Sequence, residues 1–118
     1  MPELVPATPQ LLRRVSAGAV LEFMRSAAAV TVTDVMAATG LTRATTIAVC
    51  EDLVRRGWIL ERENQREFGG YQKGRPARRF ELNDRAGVVL GMDVGYAKVT
   101  VVVSDLRGTT VGRASQPF

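Results

Sequence analysis

Apolar residues near the start of the chain recur at spacings of three and four, which are typical of an amphipathic helix. They occupy seven positions: Leu11, Leu12, Val15, Ala19, Val20, Phe23 and Met24. This pattern predicts a first helix over residues 10–27. The preceding residues, 1–9, contain three prolines and are predicted to form a flexible arm.

Two further helices are predicted on either side of Gly40. Thr33 is a candidate cap for a helix over 34–39, and Gly40 follows where a helix commonly ends in a left-handed conformation. Thr42 is a candidate cap for a third helix over 43–56.

Two buried faces are compatible with the apolar residues of the third helix. One consists of Thr46, Val49, Cys50 and Leu53, and the other of Ile47, Cys50 and Val54. We prefer the first because it keeps the i, i+3, i+4, i+7 spacing of a helix face. Cys50 is then a buried apolar residue, and Trp58, just beyond the helix, is predicted to pack across the helices.

The next two segments are predicted to be β-strands. Residues 58–62 and 78–82 are predicted to pair as an antiparallel hairpin around a long, glycine-rich tip over 68–76. Two helices joined at a tight glycine turn and followed by such a hairpin predict a winged helix-turn-helix domain over residues 10–82.

The composition changes after residues 83–87, a candidate junction. Residues 88–95 form a nearly continuous apolar segment, which predicts a strand that is buried on both faces. Further strands are predicted over 98–104 and 109–114, joined by a turn at 105–108. The predicted fold class is therefore α+β, with a winged helix-turn-helix followed by a few strands over 88–118.

Composition and charge limit the kinds of partner and cofactor that we expect for this chain. The 118 residues carry a formal charge of +4, which suits a polyanion. The single cysteine cannot form a disulfide within the chain, and one cysteine without histidine does not supply the usual ligands of a zinc site. We therefore predict no metal and no cofactor. No apolar run approaches the roughly 20 residues that span a bilayer. We expect a cytoplasmic protein without a membrane partner.

The first turn of the third helix is the candidate DNA-reading surface. Double-stranded DNA admits the N-terminal turn of a recognition helix into its major groove. Arginine and threonine there can donate to base edges or phosphates, and outward apolar groups suit thymine methyls. The predicted contacts are Thr42, Arg43, Ala44, Thr45, Ile47 and Ala48.

The hairpin tip is the second candidate DNA contact. Residues 69–79 contain basic residues and no acidic one. A thin tip carrying arginine fits a narrow minor groove, whose negative potential attracts this side chain. The predicted contacts are Lys73, Gly74, Arg75 and Arg78.

Four segments, taken together and in this order, resemble regulators of the ROK family. They are Leu41-Thr42-Arg43-Ala44-Thr45, the 53–58 segment, Gly74-Arg75-Pro76 and the apolar segment ending in Asp93-Val94-Gly95. The resemblance implies that residues 88–118 are the opening strands of an incomplete actin-like ATPase-fold domain. Asp93 and Gly95 match the phosphate-binding turn of the kinase members, although a simple hairpin turn explains them equally well. Family members continue much further, so we expect these 118 residues to be an incomplete version of such a protein.

The resemblance further implies a non-enzymatic transcription regulator that represses sugar-use genes, assembles as a dimer, and responds to a sugar only where the remaining domain is present. Two alternatives stay open at this point. One is a nucleotide- or sugar-binding kinase fragment, favoured by Asp93 and Gly95. The other is a winged-helix module for protein association.

Overall fold

The computed structural model describes residues 8–62 and 77–118, and the chain divides into two units, Met1–Leu82 and Asn83–Phe118. The described elements of the first unit are α1 (Pro9–Arg25), β1 (Val30–Thr31), α2 (Val32–Thr39), α3 (Arg43–Arg55), β2 (Ile59–Arg62) and β3 (Arg79–Leu82). Those of the second unit are β4 (Val89–Val94), β5 (Lys98–Ser104) and β6 (Thr110–Pro117). None of the helices in these described ranges is long and apolar enough to cross a membrane.

Helix α1 buries only part of the apolar pattern that predicts it. The helix is capped by the Thr8 hydroxyl, which accepts from the Leu11 backbone N–H at 3.1 Å. Val20 and Met24 are fully buried, whereas Leu11 and Val15 are exposed. At 100° per residue these two pairs point to opposite sides of the helix. The prediction that all seven apolar residues share one face is therefore wrong.

Helix α2 begins at Val32, two residues earlier than a Thr33 cap would allow. The Thr31 hydroxyl accepts from the Asp34 N–H at 3.1 Å, and the Asp34 carboxylate accepts from the Thr31 N–H at 2.9 Å. This reciprocal capping box satisfies two backbone donors at once, so the predicted cap at Thr33 is wrong. Gly40 ends the helix in the left-handed conformation with φ of 75°, as predicted.

Helix α3 confirms the preferred buried face. Thr46, Cys50 and Leu53 are buried, and Val49 is half-buried. The buried Thr46 hydroxyl donates to the Thr42 carbonyl at 2.8 Å, so its burial leaves no unsatisfied hydroxyl. The helix is capped by Thr42, as predicted.

A three-stranded antiparallel sheet in the order β1-β3-β2 completes the first unit. Phe80 of the central strand lies opposite Val30 on one side and Glu61 on the other. Because side chains alternate along a strand, Ile59, Phe80 and Leu82 share the face that packs into the core. We call the paired strands β2 and β3 the wing.

Trp58 does not pack across the helices as predicted, since 39% of it is exposed. Ile59, which follows directly, takes the buried position, and Leu60 beyond it is again exposed. The prediction failed because the strand alternation places Trp58 on the outer side with Leu60.

The second unit contains a three-stranded antiparallel sheet in the order β4-β5-β6. The strand register places apolar side chains on one face: Leu90, Met92, Val94, Val99, Val101, Val103 and Ala114. The opposite face is more polar and includes Asp93, Thr100 and Arg113. Every residue of β4 is exposed, so the predicted burial of this strand on both faces is wrong. The apolar run reflects one alternating apolar face, with Val89 and Gly91 making the pattern look continuous.

The turn between β5 and β6 is the predicted one at 105–108. The Asp105 carboxylate accepts from the backbone N–H of Arg107 and of Thr109, both at 2.9 Å. Gly108 adopts φ of 89°, which a side chain would strain. The aspartate and the glycine together fix this turn.

We expect replacement of Phe80 by alanine to destabilise the protein by about 3–5 kcal/mol, because a large, fully buried ring would leave a cavity. Urea unfolding measures this change. Leu60→Ala is the matched control, since Leu60 is partly exposed on the other face of the sheet, and should cost less than about 1 kcal/mol. Equal losses for the two variants would contradict this description of the core.

We expect the Cys50 thiol to be unreactive in the folded protein. It is fully buried, and this burial raises its pKa from 9.0 to about 11, so the nucleophilic thiolate is scarce at neutral pH. Labelling with a thiol reagent should be slow in buffer and fast in denaturant. Equal rates would show that the α3 core opens freely.

Candidate nucleic-acid interface

The first turn of α3 is accessible along its outer surface. Thr42, Arg43, Ala44 and Thr45 are all exposed, and Thr42 is the N-cap residue. This turn begins two residues after Gly40, the residue at which α2 ends. These four predicted residues therefore lie together.

Two threonine hydroxyls of this turn are linked. The Thr42 Oγ1 accepts from the Thr45 backbone N–H at 3.2 Å and donates to the Thr45 Oγ1 at 3.0 Å. A hydroxyl has one proton and two acceptor sites. The Thr45 hydroxyl consequently keeps its own proton for an acceptor beyond the helix, such as a phosphate oxygen or a purine N7.

The next outward positions differ in accessibility. Ala48 is exposed, whereas Ile47 is half-buried. Ile47 follows the buried Thr46 and precedes the buried Cys50 by three positions, so it lies at the border of the buried face. Only part of the Ile47 side chain is available to a groove.

Arg43 has no acidic partner among the described residues, a property that it shares with Arg13, Arg14 and Arg79. Arg55 and Arg56 both pair with Asp52, at 2.7 and 3.0 Å, and Arg62 pairs with Glu81. Among the described residues no carboxylate pairs with Arg43. Its guanidinium therefore keeps its donors for an external acceptor.

Arg78, which is predicted to contact DNA, is paired with two carboxylates of the first unit. Its Nη1 lies 3.0 Å from Glu51 Oε1, and its Nη2 lies 2.8 Å from Glu61 Oε1. The prediction placed Arg78 on DNA because residues 69–79 contain no acidic residue, but the fold brings carboxylates from α3 and β2 to it. Arg78 is therefore internally paired in the folded chain, and its predicted contact with DNA stays a prediction.

The pKa values of this pair move in the directions that the pairing requires. The hydrogen bond to Glu61 and then that to Glu51 raise the pKa of the Arg78 guanidinium. The hydrogen bond from Arg78 lowers the pKa of Glu61 below its ordinary value of 4.5. The stabilisation by Glu61 is thus complete above that ordinary value and is lost as the pH falls through the lowered one.

Arg79 is a candidate that the sequence prediction omitted. Neighbouring strand residues point to opposite faces, so Arg78 and Arg79 cannot serve the same surface. Arg79 is half-buried and lies opposite Arg62 and Thr31 on the outer face of the sheet. Strand alternation was the signal that could have separated the two arginines. The predicted tip residues Lys73, Gly74 and Arg75 lie outside the described residues.

Asp93 and Gly95 belong to a β-hairpin in the second unit. Asp93 is exposed on β4 opposite Thr100. The Gly95 N–H donates to the Lys98 carbonyl at 2.9 Å, and a Cβ on Gly95 would approach that oxygen to 3.3 Å. The hairpin alone accounts for the glycine, and the phosphate-binding role stays a prediction. Within the described ranges no cluster of three or more acidic, cysteine or histidine residues could hold a metal ion.

Comparison with known proteins bears on the first unit most directly. The model of the IclR helix-turn-helix domain matches residues 17–63, from within α1 to the end of β2. The first unit contains a helix-turn-helix DNA-binding domain. This confirms the predicted helix-turn-helix, with α3 as its second helix. No curated protein matches the chain.

A solved structure has a similar fold over most of the chain. It is a ROK family transcriptional regulator described as a homolog of the E. coli MLC protein, with a TM-score of 0.69 and 20% sequence identity. The match covers 91% of this chain and 26% of that chain, so this chain spans about a quarter of the solved protein. The likeness confirms the predicted α+β fold, with a winged helix-turn-helix followed by β-strands.

We expect Thr45→Val to weaken DNA binding by roughly two- to tenfold, the worth of one hydrogen bond, because valine keeps the shape but removes the free hydroxyl proton. The cap of α3 should persist, since Thr42 accepts from the residue 45 backbone and not from its side chain. Fluorescence anisotropy with duplex DNA measures the change. Thr45→Ser retains a hydroxyl and is the control; binding by the valine variant at the wild-type level would refute this role.

Proposed function

We propose that this chain is a sequence-specific DNA-binding transcription regulator that reads double-stranded DNA with the first turn of α3. The observation that carries the proposal is the exposed cluster of Thr42, Arg43, Ala44 and Thr45 at the start of the second helix of a helix-turn-helix domain. Such a turn enters the major groove, where arginine donates to guanine and threonine reaches a base or phosphate.

The charges around α3 support this assignment. Arg43 has no acidic partner within the described residues, whereas Arg55, Arg56 and Arg78 are held by carboxylates. We therefore assign base or phosphate contact to Arg43 and withhold it from Arg78. Arg79 takes the place of Arg78 among the proposed contacts, and Lys73, Gly74 and Arg75 remain proposed minor-groove contacts.

A narrower role follows from the ROK resemblance and the solved ROK regulator of similar fold. We propose that the protein represses sugar-use genes as a dimer, with two helix-turn-helix domains on half-sites about one DNA turn apart. A sugar effector would need residues beyond the three strands of the second unit. No enzymatic step is part of this proposal.

Selection from a random duplex pool tests the proposed function directly. The 118-residue protein should enrich one sequence motif at moderate salt, and a dimer should enrich two copies at fixed spacing. Retention should fall steeply as salt increases, since neutralised phosphates release counterions. Retention without an enriched motif would contradict sequence-specific reading, and failure to retain DNA at low salt would contradict DNA binding altogether.

Arg43→Gln should lower the affinity for DNA by about tenfold, because a good arginine–guanine pair contributes about 1–3 kcal/mol. Arg14→Gln is the matched control, since it removes the same charge from an exposed position of α1. It should change the affinity by less than about threefold, the scale of a distant surface charge. Equal losses of affinity for the two variants in an anisotropy titration would show that Arg43 contributes only through its general positive charge.

A further inference from the structure

We propose that Arg78 is a positioning residue that fixes the wing to the recognition helix α3, and that it supports DNA binding through this link without contacting DNA. The inference rests on the proposed DNA-binding function. It assigns to Arg78 a role different from the groove contact that the basic sequence around it predicts.

The guanidinium of Arg78 joins two separate elements. Its Nη1 is 3.0 Å from Glu51 Oε1 on α3. Its Nη2 and Nε face Glu61 on β2, at 2.8 Å from Oε1 and 3.4 Å from Oε2. The planar guanidinium can serve both carboxylates at once because its donors diverge, whereas a lysine ammonium lacks this fork.

A third contact anchors the same side chain to the core. The Arg78 Cζ lies 5.3 Å from the centre of the Phe80 ring, and Phe80 is fully buried. Arg78 precedes Phe80 by two residues and so shares its face of the strand, while Glu61 lies directly opposite Phe80. The cation therefore lies at the edge of the core, with 39% of its side chain exposed.

These contacts matter to the proposed DNA binding because the first turn of α3 and the wing would have to contact the duplex at the same time. Glu51 belongs to α3, whereas Glu61 lies on β2 and Arg78 directly precedes β3. A link among these residues holds the wing at one angle to α3. DNA binding then does not carry the entropic cost of ordering the wing. An Arg78 that is occupied in this way has few donors left for a phosphate.

The test compares three variants in anisotropy titrations with a labelled random-sequence duplex pool. Arg78→Gln breaks the link from one side, and Glu51→Ala/Glu61→Ala breaks it from the other. Both should weaken binding by roughly threefold or more, and the triple variant should bind no more weakly than Arg78→Gln, since coupled residues are non-additive. Glu22→Ala and Arg14→Gln remove a carboxylate and an arginine from α1 and serve as charge controls.

The Glu51→Ala/Glu61→Ala variant best distinguishes the positioning role of Arg78 from a direct contact with DNA. If Arg78 contacted DNA directly, removal of Glu51 and Glu61 would free it and remove repulsion, so binding would become tighter. If Arg78 stabilised the fold alone, all three variants would melt at lower temperature but bind as wild type at room temperature. Either result would overturn the proposal.

Amide hydrogen exchange separates this inference from the proposed function. Breaking the link should speed exchange in β2 and β3 by at least about threefold relative to α1 and α2, because the opening is local. This result is expected even if the protein bound no DNA, in which case the proposed function would fail and the link would stand. Unchanged exchange in β2 and β3 would refute the link itself.

Discussion

Burial of Phe80 at the centre of the three-stranded sheet is the contact on which the first unit depends. The residue lies on β3, the central strand, with β1 on one side and β2 on the other. Its ring packs on the same side as Ile59 and Leu82, and Arg78 lies over it at the edge of the core. Phe80 thus contributes to the core of the first unit together with buried residues of α1, α2 and α3.

Helix α3 packs against this core through three buried residues. Cys50, Leu53 and Thr46 form its buried face, and the Thr46 hydroxyl is satisfied by the Thr42 carbonyl. The Thr42 hydroxyl is in turn used on the opposite side, where it caps the helix and meets Thr45. One residue thus links the inner packing of α3 to the outer surface that we propose for DNA.

Ion pairing divides the arginines into structural and available ones. Surface ion pairs contribute little stability individually, at about 0–1 kcal/mol, but they determine where unpaired positive charge remains. In the described part of the first unit, Arg55, Arg56 and Arg78 are paired, whereas no carboxylate pairs with Arg13, Arg14, Arg43 or Arg79. Of these four, Arg43 lies in the first turn of α3. The basic character of the chain is therefore a poor guide to its contacts, and the distribution of partners is a better one.

The sequence alone determined the features that depend on near neighbours. The Thr42 cap, the left-handed Gly40, the 105–108 turn and the bounds of β5 follow from residues within a few positions, because capping and turn bonds are local. The preferred face of α3 also followed, since helical spacing fixes which side chains share a side.

Only the tertiary structure decided which predicted surfaces are free to meet a partner. It placed Glu51 and Glu61 against Arg78 across gaps of 27 and 17 residues, and it turned Trp58 outward. It also left the residues of β4 exposed, although their apolar run predicts burial on both faces. A sequence pattern gives the periodicity of an element, but the neighbours of a side chain depend on how distant segments pair.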